Sequence, residues 1–182
     1  MNSNLSRARL LGGIGAIISM FGGITPIFSI SFTKEIDGDV ITNMGGGALA
    51  SFLGVVGVIG IILVMVSVNL ISRETRDKEI FSKYLTYFLL TILSLVAVII
   101  PIAGLIIMWV CWIIGALYLK RCYYSISDHT EVNLFRTTGL LYLIGTITLI
   151  FIVGVIIIVV ARILEAVSYF SLPDELPGSL TS

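Results

Sequence analysis

Residues Tyr84 to Leu119 read YLTYFLLTILSLVAVIIPIAGLIIMWVCWIIGALYL, without one charged side chain. As a single helix at 1.5 Å per residue this run would extend about 54 Å. The hydrocarbon core of a bilayer is about 30 Å thick, and a crossing needs about 20 residues, with about 17 as the lower limit. Pro101 stands at the middle of the run and Gly104 follows it. Proline lacks the N–H that a helix ladder uses, and its ring clashes with the preceding turn. The run therefore predicts two short membrane helices, near 84–100 and 103–119, joined by a tight turn at Pro101 and Gly104. One tilted helix kinked at Pro101 is the competing reading.

Charges divide the rest of the chain in the same way. One uncharged run spans Leu10 to Thr33. A second spans Val40 to Ser72, its helix predicted to begin near Ala48, after Gly45-Gly46-Gly47. The last begins at Thr137 and stays apolar to Leu172, interrupted only by Arg162 and Glu165. It reads either as one crossing over 137–161 followed by a surface helix, or as two helices near 135–152 and 154–171. The second reading places Arg162 and Glu165 inside the membrane, where each charge costs roughly 2.5–3.5 kcal/mol on insertion scales. Three residues apart, they share a helical face and can pair.

An internal repeat favours the second reading. Ile18-Ser19-Met20 through Thr25-Pro26-Ile27 aligns with Leu93-Ser94-Leu95 through Ile100-Pro101-Ile102. Gly104-Leu105-Ile106-Ile107 aligns with Gly154-Val155-Ile156-Ile157, bringing Ile113 onto Ile163 and Ala116 onto Ala166. The expected fold is all-α: a membrane bundle of six helices in three tandem hairpins, with five helices as the fallback. It forms one transmembrane domain over 1–172 with a short polar tail over 173–182.

Composition agrees. Of 182 residues, 57% are hydrophobic and 12% charged, with a mean hydropathy of +1.08. A soluble domain averages about 45–50% apolar and about 25% charged residues. A chain this small cannot hide so much apolar surface in its own core, so a lipid bilayer is the first expected partner. Formal net charge is zero, and no basic stripe exists to neutralise a run of phosphates, so nucleic acid is not expected as a partner. Arg7 and Arg9 precede the first apolar run as in a signal peptide. That run is longer than a signal core and no small-residue cleavage pattern follows, so it is read as the first membrane helix.

Lys and Arg set the orientation. Arg7 and Arg9 lie before the first helix. Arg73, Arg76, Lys78 and Lys83 lie between the first and second hairpins, and Lys120, Arg121 and Arg136 between the second and third. The opposite side of the hairpin arrangement holds only Lys34. The N-terminus and both inter-hairpin loops are therefore expected in the cytoplasm, with the chain in the cell membrane.

Few residues suggest chemistry. Gly54, Gly57 and Gly60 recur every third residue, and Gly15, Ser19 and Gly23 every fourth. Small residues at such spacing let helix backbones approach closely; a glycine-lined pore is the functional alternative. Gly12-Gly13-Ile14-Gly15 shares part of a dinucleotide-binding loop but lacks the full fingerprint and its strand–turn–helix setting. For Arg162 and Glu165 three readings stay open: a structural pair sealing the bundle, an interfacial position with Arg162 reaching headgroups, or a transport or proton-relay role. Asn69 either bonds across helices or reaches headgroups.

The lone histidine, His129, is placed on a polar loop from Ser125 to Asn133. No metal-ligand spacing surrounds it and no nucleophile–histidine arrangement is supported. Asp37-Gly38-Asp39 reads as a turn, since the rest of a calcium loop is missing. Cys111 and Cys122 lie at different depths, which disfavours a disulfide. No catalytic residue, cofactor or metal is therefore expected, nor enzyme activity. The stretch Tyr118 to Tyr124 mixes aromatic and basic residues as membrane–water interfaces do.

Three segments carry a family resemblance: Arg9-Leu-Leu-Gly-Gly-Ile-Gly-Ala-Ile-Ile, Leu134-Phe-Arg-Thr-Thr-Gly-Leu-Leu-Tyr-Leu-Ile-Gly, and Ala161-Arg-Ile-Leu-Glu-Ala-Val-Ser-Tyr-Phe-Ser-Leu. From about Ser6 to Leu172 the chain resembles a family of archaeal and bacterial multi-pass membrane proteins of unknown function, DUF996. The resemblance implies a helical membrane fold and no established catalytic residue, and an archaeal source is compatible with it. The family's closing segment is largely apolar, so Arg162 and Glu165 depart from it. The expected function is a non-catalytic accessory or scaffold subunit, with other membrane subunits or further copies of itself as partners. A small oligomeric transporter or channel is the alternative.

Overall fold

The computed structural model describes residues 3–31, 33–36, 39–42, 44–97 and 103–176. The described residues form six helices: α1 (Ser3–Ser31), α2 (Met44–Glu74), α3 (Lys78–Ala97), α4 (Ala103–Thr130), α5 (Leu134–Ile147) and α6 (Ile152–Phe170). Pro101 lies outside the described residues, while Gly104 is buried near the start of α4. Between α1 and α2, two short strands, β1 (Thr33–Ile36) and β2 (Asp39–Thr42), pair antiparallel with Thr33 opposite Thr42. They flank the turn expected at Asp37-Gly38-Asp39, of which residues 37 and 38 lie outside the described residues.

The helices form three antiparallel hairpins. Along α1 and α2, Ser67 donates to the Ala8 carbonyl at 2.6 Å and Asn4 to Glu74 at 3.3 Å. On α3 and α4, the Cys122 thiol meets the Ile80 carbonyl at 3.3 Å and Trp112 donates to Ser94 at 2.8 Å. On α5 and α6, Thr138 meets Ser168 at 3.2 Å, and Gly145 abuts Ile158. Each helix also packs on its other chain neighbour, and α6 returns to α1, so the hairpins close into a ring. The core lies inside that ring, with Val68, Ile80, Tyr123, Phe135 and Tyr169 among its residues.

Among the described residues, three segments are long and apolar enough to cross a membrane: Gly54–Glu74, Ile106–Thr130 and Val153–Phe170. Only 33% of each such window is buried inside the bundle. Large apolar side chains such as Phe52, Ile62, Ile106 and Val153 point outward. Exposed apolar surface on this scale needs lipid or a partner to cover it. Helix α5 is shorter, about 21 Å at 1.5 Å per residue. It ends in a 3-10 turn, Thr148–Ile150, before Phe151 turns extended and α6 begins.

Several boundaries differ from the expectation: α2 begins at Met44, with Gly45-Gly46-Gly47 inside the helix, and α5 ends at Ile147. Helix α3 begins at Lys78 and α4 continues to Thr130, past Lys120 and Arg121. The cause of the α4 extension is inward-facing: Cys122, Tyr123 and Ile126 are buried at helical spacing, so packing holds the helix beyond the charged edge. His129 is therefore not on a loop. It stands in the last turn of α4, with Nδ1 2.8 Å from the Ser125 carbonyl oxygen. Both α2 and α4 are followed by a non-glycine residue in the left-handed region, Arg76 at φ 56° and Glu131 at φ 59°.

Candidate functional site

Arg162 and Glu165 sit on one face of α6, as the three-residue spacing requires, and that face points into the ring. Glu165 is 1% exposed. Its Oε1 accepts the Tyr123 hydroxyl of α4 at 2.5 Å. Its Oε2 accepts the Tyr142 hydroxyl of α5 at 2.6 Å and Nη1 of Arg162 at 3.0 Å. The same nitrogen reaches Oγ of Ser19 on α1 at 3.3 Å, and the guanidinium lies over the Tyr142 ring, 5.2 Å from its centroid. One ion pair thus ties four helices together. A carboxylate in an apolar bundle must find donors or forfeit its solvation; here both oxygens are engaged.

Aromatic rings enclose the pair. Tyr123 stacks at a tilt on Phe135 at 5.6 Å and approaches Tyr142 at 6.5 Å, while Phe135 meets Tyr169 edge-on at 5.2 Å. Gly12 faces the Tyr169 ring so closely that a Cβ there would overlap it. The Gly12-Gly13 pair is thus a seat for α6 against α1. The Tyr169 hydroxyl is buried and has no hydrogen-bond partner among the described residues.

The small residues divide. Gly15, Ser19 and Gly60 mark the crossing of α1 and α2: a Cβ on Gly15 would lie 2.8 Å from the Gly60 carbonyl oxygen, and one on Gly60 2.7 Å from that of Gly15. This approach also holds Ser19 at the height of Arg162. Gly57 is buried. Gly54 stands apart, with nothing within 4 Å of a Cβ built there. Gly23 lies in α1, and its surroundings fall outside the described residues.

Chemically the cluster holds a carboxylate, a guanidinium and phenols, without a nucleophile beside a base. Among the described residues no three His, Cys, Asp or Glu side chains gather where a metal could be held. Both cysteines are free thiols. Tyr123 and Tyr142 are the members that sequence reasoning missed. A buried acid demands donors, but Trp109, Trp112, Lys120, Arg121 and Arg136 are also long donors on α4 and α5, so the sequence does not single out the tyrosines.

The family model described as "Protein of unknown function (DUF996)" matches residues 56–105 and 93–163, more than half of the chain. The chain belongs to this family. The matched stretches of this DUF996 member include Tyr123, Tyr142 and Arg162, and end two residues before Glu165. It is also similar to "Uncharacterized protein MJ1644" of Methanocaldococcus jannaschii, 51% identical over 75 residues. That alignment covers 41% of this chain and 42% of the relative, so the chain spans about two fifths of the length of the curated relative it matches. No solved structure matches.

Proposed function

We propose that this DUF996 chain is a multi-pass membrane protein and serves as a non-catalytic scaffold or accessory subunit of a membrane assembly. The observation that carries this reading is the closure of the polar interior: both Glu165 oxygens are occupied by Tyr123, Tyr142 and Arg162. A carboxylate so engaged fastens helices. The outward apolar side chains of α2, Phe52, Val55, Ile59 and Ile62, then face lipid or a neighbouring subunit.

Six crossings rather than five are supported by ion pairing at the ends, and the cytoplasmic N-terminus rests on the distribution of Lys and Arg. Arg9 meets Asp174 at 3.0 Å, which brings the segment after α6 back to the start of α1. The hairpin repeat is supported by a shared detail. Ser19 and Ser94, aligned in one register, each donate to the carbonyl three residues back. They also accept N–H groups from Arg162 and Trp112, which are aligned in the other register.

Purification from the native membrane in mild detergent, followed by mass spectrometry, tests the function. A fixed set of co-purifying membrane subunits is the expected result. Recovery of this chain alone as a discrete oligomer overturns it. A transporter is the second reading, favoured by the tandem hairpins and the inward-facing Arg162–Glu165 pair. It requires liposome flux that disappears when Arg162 and Glu165 are neutralised together and folding is retained.

A further inference from the structure

At the turn from α2 to α3 a cavity of about 470 Å³ is lined by Asn69, Ser72, Arg73, Arg76, Lys78 and Phe81. It sits where the apolar segment Gly54–Glu74 ends. Most cations elsewhere at this end of the bundle have partners, Arg7 excepted among the described residues: Arg9 pairs with Asp174, Lys83 with Glu79 and Arg136 with Asp128. Lys120 and Arg121 lie over the Tyr124 and Tyr118 rings. Among the described residues, the side chains of Arg73, Arg76 and Lys78 have no such partner, nor has the Asn69 amide. The nearby acids form no ion pair with these three cations. Asp77 accepts the Glu79 N–H at the start of α3, Glu74 accepts Asn4, and Glu79 holds Lys83. Ser72 donates to the Asp77 carbonyl, which pins the turn. Arg76 occupies a left-handed backbone position that glycine would fill with less strain, and so adds a cation to the rim.

We propose that this cavity binds the phosphate headgroup of an anionic phospholipid. The three cations and the Asn69 amide take the phosphate, and Phe81 takes the glycerol and upper acyl chain. Basic pockets beside membrane helices recognise anionic headgroups by this chemistry. A lipid is favoured over free phosphate because the cavity combines cations with an apolar wall at the end of an apolar helix. The proposal rests on the reading that this end of the bundle lies at a membrane surface.

Native mass spectrometry of the full chain in detergent tests it, titrating phosphatidylglycerol or phosphatidylcholine. The expected result is one tightly retained phosphatidylglycerol, preferred at least about tenfold over phosphatidylcholine. The triple variant Arg73→Gln, Arg76→Gln, Lys78→Gln should lose that preference. A control with equal charge removed, Arg7→Gln, Lys120→Gln, Arg121→Gln, should keep it. Equal loss in both triples, or no preference in the parent chain, overturns the site. Displacement of the lipid by millimolar inorganic phosphate would assign the cavity to a free anion and overturn the lipid. Because the titration is done in detergent, it is independent of the membrane reading. That reading fails separately if the chain is released from cell membranes by an alkaline carbonate wash.

Discussion

Arg162 and Arg73 are the same side chain in two settings. Inside the ring, Arg162 comes with Glu165 on its own helix, two tyrosine hydroxyls on the acid and Ser19 across the crossing. At the rim, Arg73 stands beside two more cations and no acid answers it. The difference follows from the surrounding medium. A charge without water must bring its partners in the fold, because an isolated buried ion costs far more than a paired one. At the rim, water solvates each cation and leaves it available to a ligand. The inner region therefore bears on stability and the outer one on binding.

The largest expected effect comes from breaking the inner region on one side. Glu165→Ala strands Arg162 and frees two buried hydroxyls, and should cost about 3–5 kcal/mol. Replacing both members, Arg162→Met with Glu165→Leu, should cost less, since no charge is left uncompensated. Thermal unfolding in detergent compares the two variants. A double variant less stable than the single one would show that the pair gives more than mutual neutralisation. Tyr123→Phe removes one hydrogen bond to the carboxylate and should cost about 1.5–3 kcal/mol in the same assay. No measurable loss would mean that Tyr142 and Arg162 alone satisfy Glu165.

The crossing that holds Ser19 near Arg162 has its own test. Gly60→Ala would push a methyl group into the backbone of α1, and packed backbone has nowhere to yield. A loss of about 1–3 kcal/mol is expected. Gly54→Ala meets open space and should gain up to about 1 kcal/mol from helix propensity. If both substitutions behave alike, the close approach of α1 and α2 at Gly15 and Gly60 is not a stabilising contact.

Much of this was legible from charge and length alone. The uncharged runs located the helix interiors, because lipid tolerates neither charge nor open backbone, but charges located the turns only loosely, since Lys83, Lys120 and Arg121 lie within α3 and α4. The spacing of Arg162 and Glu165 gave their shared face. Neither tyrosine partner was legible, because contacts between α4, α5 and α6 depend on helix rotation, which apolar periodicity fixes weakly when both faces of a helix are apolar. The extension of α4 to Thr130 was hidden for a related reason: Lys120 and Arg121 read as a membrane edge in the sequence, whereas the helix answers to Tyr123 and Ile126 beneath it. Gly15 and Gly60 lie where α1 and α2 approach closely, whereas Gly54, at the same spacing as Gly60, faces open space. Spacing proposes a packing face, and only the position of the neighbouring helix decides it.

The smallest effect sharpens the comparison from the outer side. Arg76 holds a left-handed backbone conformation that costs an ordinary residue about 1–2 kcal/mol. No ion pair offsets that strain among the described residues. Arg76→Gly should therefore stabilise the chain by about 1 kcal/mol in thermal unfolding, although it removes a charge. The same variant should weaken phosphatidylglycerol binding, so stability and binding move in opposite directions. At Arg162 no such trade exists, since its removal alone leaves Glu165 buried and short of its cation. A loss of stability in Arg76→Gly would mean that the rim arginine has a structural partner and that the two regions differ less than their geometry implies.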